Sequence, residues 1–212
     1  MSDDAILADE DPREFHSSFD IALDWAGLEA FKWLVLGHIV YVVGLAVAFF
    51  LAIPNGVIWM SPLFAAPLVW KGRGHRLWAK LLAMVGGFTV AHYLGMQTAA
   101  YVQNNYLASL DPIVEPSLLP GFAGGAVGAI VALGLCAAFG FVRSGAATWI
   151  FALFGVVLLS LIGGLGVYLY LTTGARGDTF VSAIMQLLKI YTPWQIAFAY
   201  VLAKVLRPDG QA

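Results

Sequence analysis

A chain of 212 residues that is 60% apolar and only 11% charged, with a mean hydropathy of +0.82, is too oily for a soluble domain, where about a quarter of residues are charged. Its single cysteine, Cys136, rules out an intramolecular disulfide, a CxxC redox pair and a multi-cysteine metal site. Residues 1–32 hold nine acidic and two basic residues (−7) and the remainder four acidic and nine basic (+5), a net charge of −2 with no basic stripe to suggest nucleic acid.

Residues 1–17 (MSDDAILADEDPREFHS) are polar and acidic without sustained periodicity and read as a mobile tail. The first apolar run starts only near Lys32, so the beginning of the chain does not read as a cleavable signal peptide. Across 18–32, Phe19, Ala22, Leu23, Ala26 and Ala30 line one side and Ser18 can cap the start, which predicts an amphipathic helix lying at the membrane interface.

Residues 33–53 are the first spanning candidate, with Gly37, Tyr41, Gly44, Ala48 and Ala52 forming a small-residue seam on one face. Pro54-Asn55-Gly56 then breaks the chain. Residues 56–70 contain Pro62 and Pro67 and form either a short Pro-kinked span or a re-entrant hairpin. Lys71, Arg73, Arg76 and Lys80 follow, which places this loop on the cytoplasmic side. Further segments are predicted at 78–103, 121–142, 146–171 and 179–206, before a short tail at 208–212. The last segment reads as broken, because Thr192-Pro193-Trp194-Gln195 is a capping box with proline at the first helical position. The expected fold is an all-α, polytopic membrane bundle of about six segments. Both termini would be cytoplasmic, and a bacterial inner membrane is the natural setting.

The segment 78–103 carries polar groups where lipid cannot serve them. At 100° per residue, Thr89, His92, Tyr93, Met96, Gln97, Ala100, Gln103 and Asn104 share an arc of roughly 140°. Lipid cannot hydrogen-bond an imidazole or a carboxamide, so this stripe must face helices, a cavity or a bound molecule. The candidate ligand-binding residues are therefore His92, Gln97, Thr89, Tyr93, Met96 and Gln103. His92 can contact a polar ligand, relay a proton or ligate haem, or it can simply bond a neighbouring helix. His38 lies about 9 Å shallower in the six-span arrangement, which argues against a haem bridged by both, and no cofactor is expected. The pair His92 and Met96 is one turn apart, and a single such pair makes no copper pathway.

No Asp or Glu falls inside a predicted span, which disfavours a coupled carrier but not a facilitator. Lys189 marks either an anion site or a side chain snorkelling to the interface. Gly121-x-x-x-Gly125 and Gly124-x-x-x-Gly128 predict a tight packing face, within the chain or against a second copy. Catalytic motifs are missing: Arg143-Ser144-Gly145 lacks the glycine two positions before the serine of a nucleophile turn, and an enzyme is not expected.

Two function classes remain. One is a non-catalytic multi-pass subunit that assembles, stabilises or anchors a larger membrane complex, with a membrane protein or a second copy as partner. The other is a small-molecule binding or translocating protein with its polar site around the third segment, either an uncoupled facilitator or a substrate-binding transporter subunit. A six-span chain of this size with Gly44-x-x-x-Ala48-x-x-x-Ala52 in its first span resembles the substrate-binding subunit of energy-coupling-factor transporters. The resemblance is one of size, topology and that seam, and it assigns no residue a role.

Overall fold

The structure, a computed structural model, describes residues 22–72, 76–110, 115–173 and 180–207. The tails at 1–17 and 208–212 and the expected cap Ser18 lie outside the described residues. Helix α1 spans Trp25–Phe50 without interruption. Asp24 caps it, its carboxylate accepting the Gly27 N–H at 2.7 Å. The expected interfacial helix over 18–32 is therefore not separate from residue 25 onward. Nothing between Ala26 and Trp33 breaks a helix, and Gly27 already packs against the last helix, where an added Cβ would meet Ala203 O at 3.0 Å.

The chain turns through Ala52 and Asn55, both with left-handed backbone (φ 53° and 56°), into α2 (Gly56–Trp59) and α3 (Pro62–Lys71). These short helices run antiparallel along the predicted seam of α1. A Cβ on Gly56 would lie 2.7 Å from Ala48 Cβ, one on Gly44 would lie 2.4 Å from Leu63 Cδ1, and one on Gly37 would lie 1.8 Å from the Phe64 carbonyl. At the far end Lys71 pairs with Glu29 at 3.5 Å. Residues 56–71 thus travel the length of α1 and do not fold back as a hairpin.

Helix α4 (Leu77–Leu110) is about 51 Å long at 1.5 Å per residue, with π-helical turns at Leu81–Gly86 and Val102–Leu107. Helices α5 (Leu119–Ala138), α6 (Ala146–Thr173) and α7 (Phe180–Val205) follow. Among the described residues, four helices, α1, α4, α5 and α6, are long and apolar enough to cross a membrane. Leu153, Val157, Leu161 and Leu165 stand exposed along α6, an oily exterior that suits lipid.

The helices close into a ring, α1–α3–α4–α5–α6–α7 and back to α1. The glycines of α5 serve two neighbours at once. Gly121 and Gly125 meet α6, where a Cβ on Gly121 would lie 2.2 Å from Gly163 O. Gly124 and Gly128 meet α4, where a Cβ on Gly124 would lie 2.6 Å from Gly95 O. The glycine seam packs within the chain.

Helix α7 runs straight through Pro193, where the capping box predicts a break. Pro193 is exposed on the outer side, and α6 grips α7 on both sides of it, Gly166 against Ile190 and Gly155 against Val201. Packing on both flanks overrides the local signal. At the basic end, Arg143 N–H donates to Val205 O at 2.9 Å and Arg207 N–H to Phe141 O at 2.8 Å, while Arg143 reaches Asp24 at 2.5 Å.

Candidate functional site

A cavity of about 290 Å³ lies inside the ring between α4, α5, α6 and α7. Along α4 its wall runs from Phe88 to Asn104, roughly 24 Å at the helical rise. Its inner end is closed by the aromatic rings of Phe64, Phe88 and Phe198, with centroids 5.3 to 6.2 Å apart. The other end reaches Asn104, Pro120 and Tyr170, with Asn104 exposed. Glycine and alanine (Ala91, Gly95, Ala99, Gly125, Gly128) make much of the wall, and absent side chains are what leave the space.

Polar groups project into this oily slot from two helices. His92 stacks on Tyr191, with centroids 5.0 Å apart and planes 23° apart, and Tyr41 of α1 stands 6.5 Å from His92 and 6.1 Å from Tyr191. One turn below Tyr41, buried His38 donates its Nδ1–H to Gln195 Oε1 at 2.6 Å, which fixes the Gln195 amide at the cavity wall. Trp194 stacks on Phe198 at 5.1 Å with planes 9° apart.

Four buried polar atoms have no protein partner among the described residues: Tyr41 Oη, His92 Nε2, Gln103 Oε1 and Trp194 Nε1. Three of the four residues line the cavity. An unsatisfied buried donor or acceptor costs about 1–3 kcal/mol, so their convergence on one space marks a place built for hydrogen-bonding contents. Among the described residues, no Asp, Glu, Lys or Arg lines the cavity. A charged guest would lose its hydration there with no counter-charge, so the arrangement suits an uncharged molecule. It offers a donor at Trp194 Nε1–H, an acceptor at Gln103 Oε1, and His92 Nε2 in either role according to tautomer.

Of the six residues the helical wheel selects, His92, Met96 and Gln103 line the cavity. Thr89, Tyr93 and Gln97 do not. Thr89 spends its hydroxyl on Val85 O at 2.9 Å, and Tyr93 and Gln97 are exposed. The lining face of α4 is rotated roughly a quarter turn from the polar arc, toward Ala91, Gly95 and Ala99. Small residues let α5 approach, and that contact sets which face turns inward. Lys189 is not in the wall: its Nζ donates to Thr173 Oγ1 at 2.8 Å, at the end of α6.

Tyr191, Trp194, Gln195 and Phe198 were the residues hidden from a site reading of the sequence. Their spacing of three, four and seven puts them on one face of an unbroken helix, a signal masked by reading Pro193 as a helix start. Compared with known proteins, the chain matches no family model, no curated protein and no solved structure.

Proposed function

We propose that this chain is a membrane protein that binds a small uncharged molecule inside its helical ring. The observation that carries this reading is the gathering of His92 Nε2, Gln103 Oε1 and Trp194 Nε1, unpartnered among the described residues, around a 290 Å³ space whose described lining holds no charged side chain. That volume stands near the lower bound for ligand pockets. The guest is thus small, with an apolar or planar body to lie against Phe198 and Trp194 and both donor and acceptor groups.

In this reading the chain crosses the membrane six times with both termini in the cytoplasm, as in a bacterial inner membrane. The antiparallel course of residues 56–71 along α1 and the meeting of Lys71, Lys80, Arg143 and Arg207 at one end support it. The subunit reading rests on the acidic tail, the amphipathic entry helix, the small-residue seams and the lack of catalytic motifs. Of these, the seams pack inside the chain, and the tail lies outside the described residues.

Native mass spectrometry of the protein extracted gently from its own membranes tests the proposal. The expected result is a reproducible small-molecule mass on the wild type that is lost in a His92→Leu/Trp194→Phe double variant of unchanged fold. A bare wild-type chain, or a mass that survives both substitutions, refutes it. Stoichiometric larger subunits on a chain without that mass would favour the assembly reading instead.

A further inference from the structure

A second cavity, of about 300 Å³, lies at the opposite, basic end of the bundle between α1, α3, α4 and the residues that follow α7. It differs from the first in charge. Among the described residues, Lys71, Lys80 and Arg207 line it with one carboxylate, Glu29. Glu29 is already engaged, accepting from Trp33 Nε1–H at 3.1 Å and pairing with Lys71 at 3.5 Å. Lys80 is only 5% exposed and spends one N–H on Gly72 O at 2.9 Å. Arg207 is anchored by its backbone N–H to Phe141 O at 2.8 Å, and among the described residues no hydrogen bond or ion pair engages its guanidinium. Among the described residues, Lys71 and Arg207 face this one engaged carboxylate, which leaves an excess of positive charge over a walled space.

The rest of the wall is apolar or aromatic, with Leu68, Met84 and Leu206 inside and Trp25 and Trp33 at the rim. Indoles favour the membrane–water boundary, which places the cations at headgroup depth. A free anion would use the cations and leave that apolar wall unserved. A lipid uses both, its phosphodiester on Arg207 and Lys71 and its glycerol and first methylenes along Leu68 and Leu206. We propose that this cavity holds the phosphodiester headgroup of an anionic phospholipid, bound as a specific lipid and not as part of the general annulus.

The test uses the full chain in uncharged detergent micelles with phosphatidylglycerol, phosphatidylcholine or inorganic phosphate as probes. Native mass spectrometry reads the bound lipid, and thermal unfolding reads the stabilisation. Phosphatidylglycerol is expected to form a discrete one-lipid adduct that phosphatidylcholine does not displace. Lys71→Gln and Arg207→Gln should each weaken that adduct about fivefold, the effect of removing one cation near an anionic lipid. Glu29→Gln should strengthen it, since it removes the one opposing carboxylate, and this variant keeps the proposal falsifiable if a cation variant unfolds. Equal retention of both lipids, or no weakening in the folded cation variants, overturns the assignment. Inorganic phosphate that stabilises as well as phosphatidylglycerol would also overturn it, by showing a free-anion site.

Discussion

The closest backbone approach on α5 predicts opposite outcomes for one substitution made at two places on the same helix. A Cβ on Gly121 would stand 2.2 Å from Gly163 O and 2.7 Å from Val167 Cβ, whereas one on Gly134 would meet nothing within 4 Å. Ordinary contact begins near 3.4 Å, so Gly121→Ala must push α6 away by about 1.2 Å, and backbone cannot rotate aside as a side chain does. A gap of that size forfeits a quarter to a half or more of each dispersion well along the seam, and overpacking of this kind costs typically about 1–3 kcal/mol. Gly134→Ala adds helix propensity at an exposed position and should be neutral or stabilising by up to about 1 kcal/mol. The chain's only cysteine supplies the assay: Cys136 lies on α5 and is fully buried, so maleimide labels it only after local opening. Gly121→Ala should speed labelling roughly five- to hundredfold at tenfold per 1.4 kcal/mol, with Gly134→Ala at or below the wild-type rate. Equal labelling of the two variants would refute the packing argument.

Further outcomes follow from particular residues. Burial raises the Asp24 carboxyl, but the Gly27 N–H and the Arg143 and Lys204 cations more than offset this and hold it below its ordinary value of 3.8. A lowered carboxylate contributes stability above its unfolded value and loses it as pH falls through the folded one. Asp24→Asn, which keeps the cap but loses the charge, should therefore cost no more than about 1 kcal/mol near neutrality. Denaturant titrations should show wild type and Asp24→Asn converging as pH drops below 3.8. Ala100→Leu, at an exposed part of the cavity wall, should abolish the bound small-molecule mass while leaving Cys136 labelling unchanged. Pro193→Ala restores an N–H toward Lys189 O and should raise resistance to unfolding in dodecyl sulfate by at most about 3 kcal/mol, read by helical circular dichroism.

The helical, membrane-facing character of the chain was open in its sequence because long apolar runs leave no other solution for the backbone. The α1 seam was legible for a related reason: Gly37 and Gly44 repeat on one face, and only close packing uses that. What the wheel could not supply was the identity of the neighbour. Polarity suggested that Gln97 and Tyr93 turn inward, yet α5 approaches over Gly95 and Ala99, and a helix rotates toward the partner it can approach most closely. Pro193 misled in the same way, because a local capping pattern carries no knowledge of Gly166 and Gly155 holding the helix on both sides.

These features bear on why the ring has an interior at all. Six closely packed elements with glycine crossings would ordinarily pack to a solid core. Here the tightest crossings, Gly121 with Gly163 and Gly124 with Gly95, pull α5 against both neighbours, while α7 contacts α1 and α6 and touches α5 little. The gap between α7 and α5 is bridged by one large side chain, Trp194, whose ring lies over Gly125 and Gly128. The cavity is thus the space that Trp194 spans without filling, and its indole N–H is left without a protein partner in that space. A phenylalanine would bridge the gap as well and satisfy its own chemistry. The indole adds a donor that carries a cost unless something in the cavity accepts from it.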